Sequence, residues 1–140
     1  MPVNADCEVL EFIKYASMLR IKNATRLIKE DIPPAFAYVL ADELRANRQI
    51  SRRCSVYLAR LCPDKTQSRN NAQKNRLDAG ISTFDIQTAS EMLIVSATAE
   101  IIGITRRLSA NGDCSERVVL FCEKVIESEN QFIDRLRSFL

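Results

Sequence analysis

The sequence contains no histidine and no tryptophan, and only three glycines in 140 residues. Without histidine it lacks the commonest general base, the usual zinc ligand and the side chain that changes charge near neutral pH. Three scattered glycines cannot form a phosphate-cradling loop, and neither G-x-G-x-x-G nor G-x-x-x-x-G-K-S/T occurs. These absences set aside nucleotide enzymes, histidine-based hydrolases and classical zinc sites. The run from Met1 to Asp6 has no basic stretch followed by an apolar one, so no signal peptide is read there. The longest apolar stretch, Met92 to Ile104, is interrupted by Ser96, Thr98 and Glu100 and reads as too short to span a bilayer. Five cysteines occur, at 7, 54, 62, 114 and 122, without C-x-x-C spacing. An odd count at such spacing is a poor disulfide framework and a poor metal motif, so they read as small buried thiols in a reducing compartment. The expectation is a cytoplasmic protein with no membrane partner.

The chain has ample material for a core. Hydrophobic residues make up 46% and charged residues 27%, with a net charge of +2. The length fits one domain, and a chain of this size buries roughly 68% of its unfolded surface. Four helical segments are expected, over about 6–30, 34–62, 83–110 and 114–139. In the first, Val9, Ile13, Ala16, Ala24 and Leu27 recur at helical spacing. Pro33 and Pro34 end it, and Pro34 can open the next helix at its first turn. Thr83 or Asp85 caps the third, which ends at Asn111-Gly112. Asp113 or Ser115 caps the fourth. The connections near 31–33 and 110–113 are short and make antiparallel neighbours. Segment 63–82 is long and polar. Extended, it reaches ~65 Å at ~3.3 Å per residue, against ~40 Å for one of these helices at 1.5 Å per residue. It can therefore cross the whole bundle. The expected fold is all-α: a four-helix bundle of two antiparallel hairpins joined by a long crossover, which is the ferritin-like topology.

Charge appears where an apolar residue is expected. On the fourth segment Val118, Cys122, Val125, Glu129, Phe132, Ile133 and Leu136 share one side, so Glu129 projects from the core stripe. On the second, Phe36, Val39, Leu40, Glu43, Ala46, Ile50 and Cys54 share a side. On the third, Leu93, Ala97, Glu100, Gly103 and Ile104 do. That helix is apolar nearly all round, so Glu100 is expected to be buried. On the first, Arg20 sits on the stripe between Ala16 and Ala24. Each helix thus aims one charge inward. Buried charges must be paired, metal-bound or neutralised, and facing glutamates are how carboxylate-bridged metal sites are built in bundles. Counted from the Asn111-Gly112 turn, Glu100 and Glu129 are offset by about 7 Å along the axis. The cluster therefore reads either as one compact site or as two linked pairs.

The third and fourth segments resemble the C-terminal half of bacterioferritin and related ferritin-like proteins. Met92-Leu93 followed by Ala99-Glu100 is similar to the stretch that carries a bridging glutamate. Glu129-Asn130-Gln131-Phe132-Ile133-Asp134-Arg135-Leu136 resembles E-x-x-H-I-D-x-L, with Phe132 in the histidine position. Asp42-Glu43-Leu44-Arg45-Ala46 resembles D-E-M-K-H, with Ala46 in the second histidine position. Val9-Leu10-Glu11-Phe12-Ile13 resembles the opening of the first helix and puts Arg20 at a glutamate ligand position. The resemblance implies a degenerate di-iron site that keeps Glu43, Glu100 and Glu129. It implies no haem, because Leu44 stands at the methionine ligand position. Arginine stays protonated and forks onto carboxylates, so Arg20 takes the place of a metal.

Three uses of such a chain remain open. The favoured one is a non-catalytic interaction or structural module with an internal cluster of Arg20, Glu43, Glu100 and Glu129. It needs no cofactor and takes a protein partner or self-association. The second is iron or manganese binding or oxidation by Glu43, Glu100 and Glu129 alone. The third is nucleic-acid or other anion binding. Residues 45–76 hold nine basic residues and one acidic one, and Arg45, Arg48, Arg52, Arg53 and Arg60 are the candidates. Tyr57 is the only aromatic residue in that stretch, which argues against a stacking platform for single strands.

Overall fold

The computed structural model describes residues 4–63 and 85–140. Four helical rods form, and no strand occurs among the described residues. Helix α1 spans Ala5–Ile28, and the side chain of Asn4 caps it by accepting from the amide of Cys7 at 3.3 Å. Helix α2 spans Pro34–Leu61 with proline in its first turn, where the missing N–H has no helical partner to lose. The third rod is composite. It comprises α3 (Ile86–Val95), a π-helical segment (Ser96–Ile102) and α4 (Gly103–Ser109). Asp85 caps it, accepting from the amides of Gln87 and Thr88. Helix α5 spans Glu116–Leu136, capped by Ser115, and tightens into a 3₁₀ turn over Arg137–Phe139. The crossover expected over 63–82 falls, after Pro63, outside the described residues.

Helix α1 packs against α2 and against the third rod; α5 packs against the third rod and α2. The ends fix the directions. A Cys7–Cys62 disulfide joins the start of α1 to the end of α2. The Ser115 amide donates to Asp6 Oδ1 at 2.8 Å, so the start of α5 sits at that same end. At the opposite end Leu27, Phe36, Ala89, Phe132 and Leu136 share one apolar cluster. Two antiparallel hairpins result, with the end of α2 and the start of α3 at opposite ends of the bundle.

The core is divided. One cluster gathers Val9, Phe12, Ile13, Ala16, Leu19, Cys54, Ile101, Val118, Phe121 and Val125 at the disulfide end. A second is the far-end cluster just described, joined by Leu40 and Leu93, and a smaller third joins Ala97 and Ile102 of the third rod to Ile133 of α5. Fully burying each large side chain contributes roughly 1.5–3 kcal/mol. Along α1, α2 and α5 the residues between the two end clusters include Arg20, Glu43 and Glu129.

Three expectations are corrected here. The apolar face of the third rod does not run through Gly103. The π segment takes more residues per turn and rotates the stripe, so Ile101, Ile102, Ile104 and Thr105 are buried while Gly103 is exposed. Glu100 is half-buried as a residue, with its Oε2 shut off from solvent. The cysteines are not all thiols, since Cys7 and Cys62 are bonded and Cys54, Cys114 and Cys122 are free. An odd count without C-x-x-C spacing misses a pair that the hairpin brings together from nearly equal distances on either side of Pro33. This removes the premise by which the cysteines pointed to a reducing compartment. Finally, the rod that contains Met92 to Ile104 is longer than that apolar run. Ile86–Ser109, 24 residues with a most apolar window of mean hydropathy 1.2, is long and apolar enough by composition to cross a membrane. Of that window 44% is buried inside the bundle, and a core helix has the same length and composition.

Candidate functional site

At mid-height of the bundle a guanidinium lies between two carboxylates. Arg20 Nη1 donates to Glu43 Oε2 at 2.5 Å and to Glu129 Oε2 at 3.2 Å. All three residues are about 3% exposed or less. Each projects inward because it occupies a stripe position of its own helix. The Arg20 guanidinium carbon also lies 4.9 Å from the centroid of the Phe132 ring, so the aromatic face adds to its stabilisation. Arg20 Nη2 makes no hydrogen bond to a described residue. Asn47, one turn beyond Glu43, donates from Nδ2 to the Glu43 carbonyl at 2.9 Å and is itself buried.

The electrostatics follow from one positive charge facing two negative ones. Burial alone works to lower the pKa of Arg20. The charges of Glu129 and Glu43 and the hydrogen bonds to them outweigh it, so the guanidinium titrates above its ordinary value. Glu43 is pushed up to about 8, first by burial and then by the charge of Glu129, with Arg20 pulling the other way. A proton on Glu43 leaves a neutral cluster. Loss of that proton leaves one buried negative charge in excess.

Access to this layer is narrow. A cleft of about 260 Å³ opens between α2 and α5 beside Glu43 and Phe132. At the cleft Arg135 of α5 donates to Asp42 of α2 at 3.0 Å, and Arg45 also pairs with Asp42. Among the described residues no group of three or more His, Cys, Asp or Glu side chains is arranged to hold a metal ion. The cluster itself offers charge neutralisation and, at Glu43, a titrating proton.

The sequence-derived candidates divide as follows. Arg20, Glu43 and Glu129 meet. Glu100 stands half-buried on the π segment. Arg45, Arg48, Arg52, Arg53 and Arg60 are all exposed on α2, and Arg45 is held by Asp42. The basic residues of 64–76 lie outside the described residues. Sequence reasoning missed Asn47 and the ring contact of Phe132. Asn47 follows Glu43 by one helical turn, a spacing that could have flagged it. Phe132 was visible only as an apolar stripe residue. No family model, no curated protein and no solved structure matches this chain.

Proposed function

We propose that this chain is a ferritin-like bundle in which an internal ion-pair layer stands in place of a di-iron centre, and that it works as a non-catalytic interaction or structural module. The observation that carries the reading is Arg20 Nη1 lying within hydrogen-bond distance of both Glu43 and Glu129. A hard divalent ion binds carboxylate oxygens at about 2.3–2.6 Å for calcium and closer for smaller ions. The guanidinium occupies the space such an ion needs, and its fixed charge repels one. Two antiparallel hairpins, with α2 ending at one end of the bundle and α3 starting at the other, support the ferritin-like topology. A carboxylate-only iron or manganese site requires Arg20 to leave the layer. Leu44 offers no atom to a haem iron.

Metal loading tests the proposal. Purified protein is titrated anaerobically with Fe(II) or Mn(II), desalted and assayed for bound metal. Parent protein is expected to retain none, and Arg20→Glu to gain weak manganese binding detectable by loss of the free-ion resonance. Two tightly held iron atoms per parent chain, with oxygen-dependent turnover, would overturn it.

A further inference from the structure

The seam between α2 and α5 does not close above the charge layer. Two clefts of about 380 and 570 Å³ lie along it and share Arg53, Phe121 and Lys124, so they form one groove. Arg52 and Arg53 stand on the α2 wall; Arg117 and Lys124 stand on the α5 wall. None of these four cations makes an ion pair with a described residue, and Glu116 is the only acidic residue among those lining the groove. The floor is apolar: Ile50 is half-buried, Phe121 and Val125 are buried, and Leu120 is 51% exposed.

We propose that this groove binds an acidic amphipathic helix of a protein partner, with the partner's apolar stripe on Ile50 and Leu120 and its carboxylates on the four cations. Charge distribution favours this occupant. Arg117 and Lys124 are seven residues apart on α5, or about 10 Å along its axis, and Arg52 and Arg53 face them from α2. Positive charge spread along both walls matches acidic residues placed on both flanks of a helix's apolar stripe. Two helical walls over an aliphatic floor suit a helix laid in a groove, read through its i, i+3, i+4 and i+7 anchors. Single-stranded nucleic acid fits less well, because stacking needs free aromatic faces. Tyr57 and Phe121 are engaged with each other, ring centroids 5.3 Å apart, and Phe121 is 4% exposed. The proposal does not depend on the metal reading, since an iron-binding parent would overturn that one and leave this one intact.

The probe is a fluorescein-labelled helical peptide with a Leu/Ile stripe flanked by Glu, with a Lys-flanked peptide of identical stripe and an oligothymidylate as comparators. Fluorescence anisotropy is expected to show the Glu-flanked peptide binding the parent and weakening as salt rises. The double variant Arg53→Glu/Lys124→Glu, altered only at exposed positions, should keep its melting curve. It should bind the Glu-flanked peptide about ten-fold more weakly and the Lys-flanked peptide more tightly than the parent does. The proposal is overturned by no binding up to about 1 mM, by equal binding of the two peptides to the parent, or by a double variant indistinguishable from the parent. Tighter, Arg53-dependent binding of the oligothymidylate would assign the groove to nucleic acid instead. Concentration-dependent self-association abolished by the same variant would assign it to a second copy of this chain.

Discussion

Arg20→Ala strands two buried carboxylates, and breaking one partner of a buried pair typically costs about 3–5 kcal/mol. The pH dependence has a definite sign. The pKa of Glu43 is raised in the folded protein, from an ordinary 4.5 to about 8. Between those values the folded chain holds a proton that the unfolded chain gives up. Stability from this group is therefore fully present below the unfolded pKa and is lost as pH rises toward 8. Removing Arg20 takes away the influence that lowers the Glu43 pKa, so the variant's deficit is expected to be larger at pH 8 than at pH 5. Glu43→Gln keeps a hydrogen-bonding group near Arg20 and abolishes the titration. It is expected to cost less than Arg20→Ala and to flatten the decline between pH 5 and pH 8. Urea unfolding of the three proteins at both pH values checks this. A cost for Arg20→Ala below about 1 kcal/mol, the range of exposed pairs, and equal at both pH values would contradict the buried geometry. This layer was legible in the sequence because Arg20, Glu43 and Glu129 each interrupt an apolar stripe at helical spacing. Asn47 was visible only as a polar residue one turn beyond Glu43; its partner, the Glu43 carbonyl, carries no residue code.

Helix boundaries in the sequence came from capping chemistry, and they hold to within a few residues. Pro34 opens α2 by its fixed φ, without a side-chain cap, whereas Asp85 and Ser115 cap α3 and α5 by accepting from amides two or three residues on. The π segment was invisible because its stripe continues with apolar residues whichever way the helix turns. Glu100 stands half-buried on that segment, with one carboxylate oxygen shut off from solvent. Gly103 terminates the segment, donating to the carbonyl of Thr98. It is exposed, and a β-carbon placed there would lie 3.4 Å from that oxygen, an ordinary contact. Alanine is favoured over glycine inside a helix by roughly 0.8–1.0 kcal/mol. Gly103→Ala is therefore expected to raise stability by about 0.5–1 kcal/mol, read as a higher urea midpoint with unchanged helicity. A destabilised variant would show that the π turn needs glycine's freedom.

At the scale of the whole molecule, all five cysteines gather at one end of the bundle. Cys7–Cys62 closes a chain separation of 55 residues; Cys54 and Cys122 lie in the core beneath it, and Cys114 packs against that cluster. Their pairing could not be read from spacing, since it depends on the length of the α1–α2 hairpin and not on local sequence. Burial pushes the Cys54 and Cys122 thiols up to about 12, and it is also the first cause raising Cys114. Thiolate is the reactive form, so the two core thiols are expected to resist alkylation at pH 8 in the folded protein. Native alkylation without reductant should label Cys114 first and slowly. Unfolding without reductant should add Cys54 and Cys122 and leave Cys7 and Cys62 unlabelled. Reduction, or the double variant Cys7→Ser/Cys62→Ser, should then lower stability. Closing an unfolded loop of that length removes entropy worth about 4 kcal/mol, and measured losses commonly run about 2–4 kcal/mol. The Asp6–Ser115 hydrogen bond holds the same end together after reduction, so the reduced protein should stay helical with a lower urea midpoint. Labelling of all five cysteines on unfolding without reductant would show that the clamp is absent in solution, and the predicted loss on reduction would then vanish with it.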